Sequence, residues 1–333
     1  MNFVTGSTGF LGAHLLYHLM RRGENVVALK RPSSDLGYIR QVFQTYTAEA
    51  DNLFDKIKWV NGDVLDYQGL LDIDYPIERI YHLAAMVSFD PSDKKRLLQT
   101  NVWGTSNIVN FALEKQISDI VYVSSVAALD PVKENQRITE DKFGNNPERK
   151  STYAKSKFQS ELEIWRGIEE GLRAVIVNPS VIIGPGMKNE GPAKVFSAVK
   201  NGLRFFPQGA TGFVDVRDTC RIMLELIDNE CFNERYIINE GNYSYKKLFR
   251  IIASIYDKQP PDKELKPFWT DLFYRLDWVK SFLTRTDRLI TKELHRSMHG
   301  KSKFSNEKVK QQLKCEFIPI EETIQDTISH LIE

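Results

Sequence analysis

Short apolar runs alternate with stretches of helical periodicity from the first residue onward. Residues 2–5, 25–29, 57–60, 79–83, 120–124 and 173–177 each read as a short buried strand. Between them, residues 10–22 place Leu11, Leu15, Leu16 and Leu19 on one stripe, and Gly23 stops the helix. Residues 93–115 and 152–170 carry further helical patterns. Strands that alternate with helices predict a parallel sheet covered on both faces, which is an α/β doubly wound (Rossmann) arrangement. After residue 178 the rhythm loosens. NPSVIIGPGMKNEGPAK is rich in Pro and Gly and reads as loop. FVDVRDTCRIMLELIDN reads as strand then helix, YIINEGN as strand and turn, and residues 243–256 as helix. The expected division is a dinucleotide-binding domain over 1–178, with a segment near 213–240 returning to it. Residues 179–333 mainly form a smaller, mixed substrate-binding lobe.

Composition narrows the class. The chain has 333 residues, 42% hydrophobic and 27% charged, enough for a large core and ordinary for a globular protein. A formal net charge of +1 gives no electrostatic reason to expect nucleic acid. Cys220, Cys231 and Cys315 are far apart and form no CxxC pair, which argues for a reducing compartment and against a zinc site. MNFVTGSTGF is no secretory signal, and no apolar window is long enough to span a bilayer, so the expectation is cytoplasmic.

Four segments and one further residue carry candidate chemistry. TGSTGFLG, residues 5–12, sets Gly6, Gly9 and Gly12 three apart between the first strand and first helix. Gly6 suits a tight turn, Gly9 lets backbone approach a pyrophosphate, and Gly12 lets the helix pack close to the sheet. The helix N-terminus then meets the phosphates. The second strand ends ALKRPSS, with Lys30, Arg31, Ser33 and Ser34 where an NAD enzyme places an acid. A guanidinium with nearby hydroxyls suits a 2′-phosphate, so NADP(H) is favoured and NAD(H) is the alternative. STYAKSK puts Tyr153 and Lys157 four apart on one helix face. A free phenol's anion costs about 4 kcal/mol at pH 7, and a nearby ammonium lowers that cost. VYVSS ends a strand with Ser124 and Ser125 where ligands gather, and either hydroxyl suits a substrate carbonyl. Asn101, on the preceding helix, offers an amide to anchor a water beside Lys157.

The glycine turn, NGDVLD, HLAA, the Asn101 helix, VYVSS and YAKSK stand in the order of the extended short-chain dehydrogenase/reductase superfamily. The chain resembles that superfamily, which includes the NAD-dependent epimerase/dehydratase families, over about residues 1–240. NPSVIIGPG and GFVDVRD continue the likeness, closest in look to dihydroflavonol-reductase and 3β-hydroxysteroid-dehydrogenase relatives. The resemblance implies Tyr153 as acid/base, Lys157 lowering its pKa and holding the nicotinamide ribose, and Asn101 as a structural and proton-relay residue. It implies Ser125 as the carbonyl-binding hydroxyl, with Ser124 the alternative. It places Thr8, Phe10 and Leu11 beside the glycines at the cofactor, Asp63 and Val64 at the adenine, and Leu83, Ala84 and Ala85 along the cofactor. Pro179 would meet the carboxamide. It also implies a homodimer through the Asn101 and Tyr153 helices.

Val126, Ala127 and Ala128 follow the serines, without the acidic pair of many dehydratases, and Leu129-Asp130 replaces the Tyr-Gly of epimerases. Met86, Val87, Ser88 and Phe89 at the site's mouth suit an apolar ligand. The expected activity is NADP(H)-dependent hydride transfer with a carbonyl or alcohol of a fairly hydrophobic small molecule: a ketone, aldehyde, steroid-like compound or ketolipid. A nucleotide-sugar epimerase or dehydratase and a non-catalytic NADP-binding sensor or assembly subunit are the alternatives. Residues 267–283 carry an aromatic stripe with basic edges, read as a core or lid helix, with peripheral membrane contact as the sharper reading. His295 and His299 lack the HExxH order and read as helix surface, so no metal is expected. Asp215 and Asp218 read as a strand–helix corner and cap.

Overall fold

The computed structural model describes residues 1–88, 90–133, 136–142, 151–189, 191–265 and 299–332. Phe89, the 267–283 stripe and His295 lie outside the described residues. Seven strands form one parallel sheet: β1 (Asn2–Thr5), β2 (Val26–Lys30), β3 (Lys58–Asn61), β4 (Arg79–His82), β5 (Asp119–Val123), β6 (Arg173–Pro179) and β10 (Glu234–Ile238). Their order is β10-β6-β5-β4-β1-β2-β3. All residues of β1 and β5 are buried, as the apolar runs require of strands covered on both faces.

Helices α1 (Phe10–Arg21) and α9 (Val216–Asp228) cover one face of the sheet, and α6 (Gly104–Glu114) and α7 (Thr152–Glu169) the other. The helix expected over 93–115 is real but interrupted. Lys94–Leu98 (α5) passes through a π-helical turn, Gln99–Trp103, before α6 begins. Three short helices were not evident in the apolar pattern: α2 (Leu36–Gln44), α3 (Ala50–Phe54) and α4 (Tyr67–Leu71).

The loop reading of residues 178–194 needs correction. Val181–Ile183 is a strand, β7, which pairs in parallel with β9 (Ala210–Asp215), and β9 pairs antiparallel with β11 (Gly241–Ser244). Helix α8 (Lys194–Lys200) begins where the loop was expected to end. Three apolar residues between Pro and Gly pair here only because β9 lies beside them, a contact that local pattern does not encode. Strands β8 (Phe205–Pro207) and β12 (Lys263–Leu265) form a separate parallel pair. With α8, α10 (Tyr245–Ile255) and α12 (Ile320–Ser329) these elements enclose their own core around Phe196, Phe213, Phe249 and Ile324. A further helix, α11 (Glu307–Leu313), packs on β10 through Val309. Asp215 caps α9, its carboxylate accepting from the Arg217 backbone N–H at 2.7 Å, as the corner reading expected. No helix among the described residues is long and apolar enough to cross a membrane.

Candidate active site

The strand order reverses beside β1: β2 and β3 lie to one side, β4, β5, β6 and β10 to the other. The carboxyl ends of β1 and β4 therefore border a crevice, the place where open α/β sheets bind ligands. The glycine turn occupies it. Gly6 has φ +67°, and a Cβ there would lie 2.6 Å from Ala84 N and from Leu83 C. Only glycine lets the turn sit against the end of β4. Gly12 serves a different contact from the expected sheet packing. Its Cβ would lie 2.2 Å from Gly6 O and 2.8 Å from Ser7 Cα, so it seats the helix on the turn's own backbone. Gly9 is exposed, and its Cβ would meet one atom, Gly6 O, at 3.4 Å. Gly9 is also the N-cap of α1, with no side-chain cap and no acid in the first turn. Bare N–H groups beside an open glycine fit a diphosphate.

Thr8, Phe10 and Leu11 lie half-buried around this turn. The Thr8 hydroxyl is 3.4 Å from that of Ser34, which in turn accepts from Arg31 N at 3.1 Å. This places the 31–34 turn beside the glycine turn, with Arg31 exposed. Lys30 is spent elsewhere, donating to Asn61 Oδ1 at 2.7 Å. Asp63 turns the chain after β3, its carboxylate accepting from Leu65 N, while Val64 is buried against Gly104. Leu83, Ala84 and Ala85 continue β4 along the crevice, half-buried. Pro179 ends β6, paired with Ile238. Val87 is 64% exposed. Ser88 donates to Asp93 Oδ2 at 2.7 Å and accepts from Asp90 N, which ties it to the entry of α5.

Across the crevice, Ser125, Tyr153 and Lys157 converge. Ser151 caps α7 by accepting from Ala154 N at 3.1 Å, and this fixes the helix start at Thr152, one residue before Tyr153. Tyr153 and Ser125 share a side-chain hydrogen bond. Ser124 is buried and donates to Glu161 Oε1 at 2.5 Å, so the two serines divide: Ser125 faces the phenol and Ser124 faces inward. Lys157 is buried and donates to Val123 O at 2.8 Å, with its ammonium 5.3 Å from the Tyr122 ring centre. Burial lowers its pKa to about 8, and Glu161 opposes the fall. The expectation of a lowered phenol pKa is reversed here. Burial raises Tyr153, and the Ser125 hydrogen bond offsets only part of it.

Asn101 lies buried in the π-helical turn. Its amide takes Met86 N at 2.7 Å and donates to Met86 O at 3.0 Å and Ser156 Oγ at 2.9 Å. Both amide hydrogens are thereby committed, and the side chain braces the crevice wall against α7. Its backbone carbonyl accepts from Thr105 Oγ1 at 2.6 Å and Ser160 Oγ at 2.7 Å.

One residue escaped the sequence reading. His82, fully buried, lies 2.7 Å from Thr5 Oγ1 through Nδ1 and 3.0 Å from Thr105 Oγ1 through Nε2. Burial, then the Lys157 charge, hold its pKa near 3. This neutral imidazole links the strand before the glycine turn to the Asn101 helix. The HLAA segment drew attention for its alanines, and the two threonines that satisfy the ring are 77 and 23 residues away in sequence.

A family model described as "Male sterility protein", an NAD-binding family, matches residues 4–236. The chain belongs to the extended short-chain dehydrogenase/reductase superfamily. Among curated relatives, a Synechocystis protein whose name proposes a dihydroflavonol 4-reductase is 30% identical over 84% of this chain and 78% of its own. "Sterol demethylase protein B" of Methylococcus capsulatus is 32% identical over 79% and 77%. The crystal structure titled gox2253 superposes with a TM-score of 0.81 at 26% identity, covering 99% of this chain and 97% of that one. The chain is thus an NAD(P)-dependent oxidoreductase of the extended short-chain class, with reductase-like relatives.

Proposed function

We propose that this protein is an NADP(H)-dependent reductase of a ketone or aldehyde on a fairly hydrophobic small molecule. The observation that carries the reading is the Tyr153–Ser125 pair beside a buried Lys157. A nicotinamide cofactor held at the glycine turn supplies the hydride. Ser125 donates a hydrogen bond to the substrate carbonyl, and Tyr153 gives its proton to that oxygen. A phenol raised by burial is protonated at neutral pH, which suits the reducing direction. Lys157 steadies the charge left on the phenol oxygen and is placed to hold the nicotinamide ribose. Asn101 keeps the 83–88 wall and α7 in register.

Arg31, exposed beside Ser33 and Ser34, supports the preference for a 2′-phosphate, and the open position of Val87 supports an apolar substrate. Asp63, Val64 and Pro179 keep their adenine and carboxamide roles in this reading. Trp103 and Leu162, 60% and 44% exposed on the π-helical turn and α7, support a homodimer through these helices. Three free cysteines agree with a reducing, cytoplasmic setting. The test is NADPH oxidation over a panel of ketones, aldehydes and ketolipids, run beside Tyr153→Phe. The expected loss in kcat is about 10²–10⁴-fold with NADPH affinity intact. Full turnover by Tyr153→Phe on an active substrate overturns the assignment.

A further inference from the structure

Glu161 has no role in the scheme above, yet its carboxylate is among the most constrained groups in the molecule. It follows Tyr153 and Lys157 at the same four-residue step, so all three share one face of α7. Its side chain has no solvent exposure. A buried carboxylate is stabilised by hydrogen bonds and a paired charge. Here Ser124 Oγ donates to Oε1 at 2.5 Å and Asn178 Nδ2 at 2.6 Å, and the Arg235 guanidinium lies 3.2 Å from Oε2. The Asn178 amide also donates to Ser125 O at 3.0 Å. Three consecutive residues at the end of β5 are therefore gripped from behind: Val123 by Lys157, Ser124 by Glu161, and Ser125 through Asn178.

We propose that Glu161 is a positioning residue of the reduction: a buried carboxylate one helical turn beyond Lys157 that supplies negative charge behind the ammonium and holds the Ser124–Ser125 strand end against Tyr153. This deepens the reductase reading and rests on it for the link to turnover. The sign follows from the surroundings. Glu161 faces Lys157 on its own helix, Tyr122 and Ser124 from β5 and its end, Asn178 from β6 and Arg235 from β10, and Arg235 is further flanked by Glu140 and Glu234. Lys157 also faces the neutral ring of His82. Burial pushes the Glu161 carboxyl up, and Arg235 first, then Ser124, Asn178 and Lys157, pull it back toward the anion; as that anion, Glu161 is the charge that raises the Lys157 pKa against desolvation. Without it, Lys157 releases its proton at lower pH and the reaction loses its ammonium near neutrality.

The experiment compares wild type, Glu161→Gln, Glu161→Asp and Arg235→Met with the double variant Glu161→Gln/Arg235→Met. The double variant removes the buried pair without leaving an orphan guanidinium. The readout is the Lys157 titration midpoint by ¹⁵N-lysine NMR, assigned with Lys157→Met, beside the high-pH limb of NADPH oxidation. The expected result is a midpoint lower by about one pH unit or more, a tenfold loss of proton affinity, in Glu161→Gln and in the double variant relative to wild type. The limb moves the same way, and Glu161→Asp, which keeps the charge, restores both. An unmoved midpoint in a variant that folds and binds NADPH like its parent overturns the proposal. If the midpoint stays while Tyr153→Phe abolishes turnover, the reductase reading stands and the Glu161 inference falls. If Tyr153→Phe keeps full turnover, the reading falls, and the midpoint still decides whether Glu161 supplies negative charge to Lys157.

Discussion

The two walls of the crevice solve opposite problems. The wall built by the glycine turn is nearly bare of side chains: its contacts are Gly6 against Ala84, Gly12 against Gly6, and the uncapped start of α1. The wall built by α7 and β5 is made of side chains, and several of its charges are buried. Phosphate oxygens are already charged, so backbone N–H groups and free space suffice to receive them. Moving a proton to an oxygen needs a titratable group whose charge depends on its neighbours. The first wall is thus sensitive to added atoms, and the second to lost partners.

The largest effect tests the first half of that contrast. Gly12→Ala sets a methyl group 2.2 Å from a backbone carbonyl that cannot rotate away. The expected cost is about 1–3 kcal/mol of stability, with NADPH affinity down about a hundredfold as the turn shifts. Urea unfolding and fluorescence titration measure both, and a stable, tightly binding variant breaks the comparison.

Two buried histidines beside the crevice, on β4 and α1, predict a pH effect. His82 takes a proton at about 3 when folded, against 6.5 when exposed. Between those values the unfolded chain binds more protons, so His82's contribution is complete above about pH 6.5 and is lost as pH falls toward 3. His14 behaves alike, buried between Tyr46 Oη at 2.5 Å and Pro185 O at 3.0 Å, with its pKa also about 3. Each is expected to cost about 2 kcal/mol of stability by about pH 5. Urea unfolding across this range checks it: His82→Gln flattens the difference by one proton, and an unchanged slope means the ring is not neutral.

The smaller effects sharpen the first wall. Gly9→Ala meets no protein atom closer than 3.4 Å, so stability holds while NADPH affinity falls about tenfold. Arg31→Ala is expected to weaken NADPH by about tenfold, one lost charge-assisted contact, and to leave NADH unchanged. Equal loss for both cofactors would remove Arg31 from the 2′-phosphate.

What the chain reveals on reading follows the same divide. The glycine spacing, the YAKSK step and the VYVSS run are local, and each lies where the periodicity puts it. The α7 partners are not local. Glu161 needs Arg235, 74 residues on, to make sense, and no pattern in either segment points to the other. The same holds for His82 with Thr5 and Thr105, and for β7, whose strand character comes from β9. The π-helical turn at Asn101 also left no trace, since its apolar spacing fits a plain helix. Breaks of this kind are set by the groups packed against the helix.

The position of β10 has a practical outcome. It pairs in parallel along β6 from Val175 to Pro179, although it enters the chain more than 50 residues later. A fragment cut at residue 178 would leave the ladder of β6, a run of buried Ala, Val and Ile, without its neighbour. Bare edges of that composition recruit other chains. Anyone trimming this protein to its nucleotide-binding part should therefore keep the coding region past Ile238, or expect inclusion bodies.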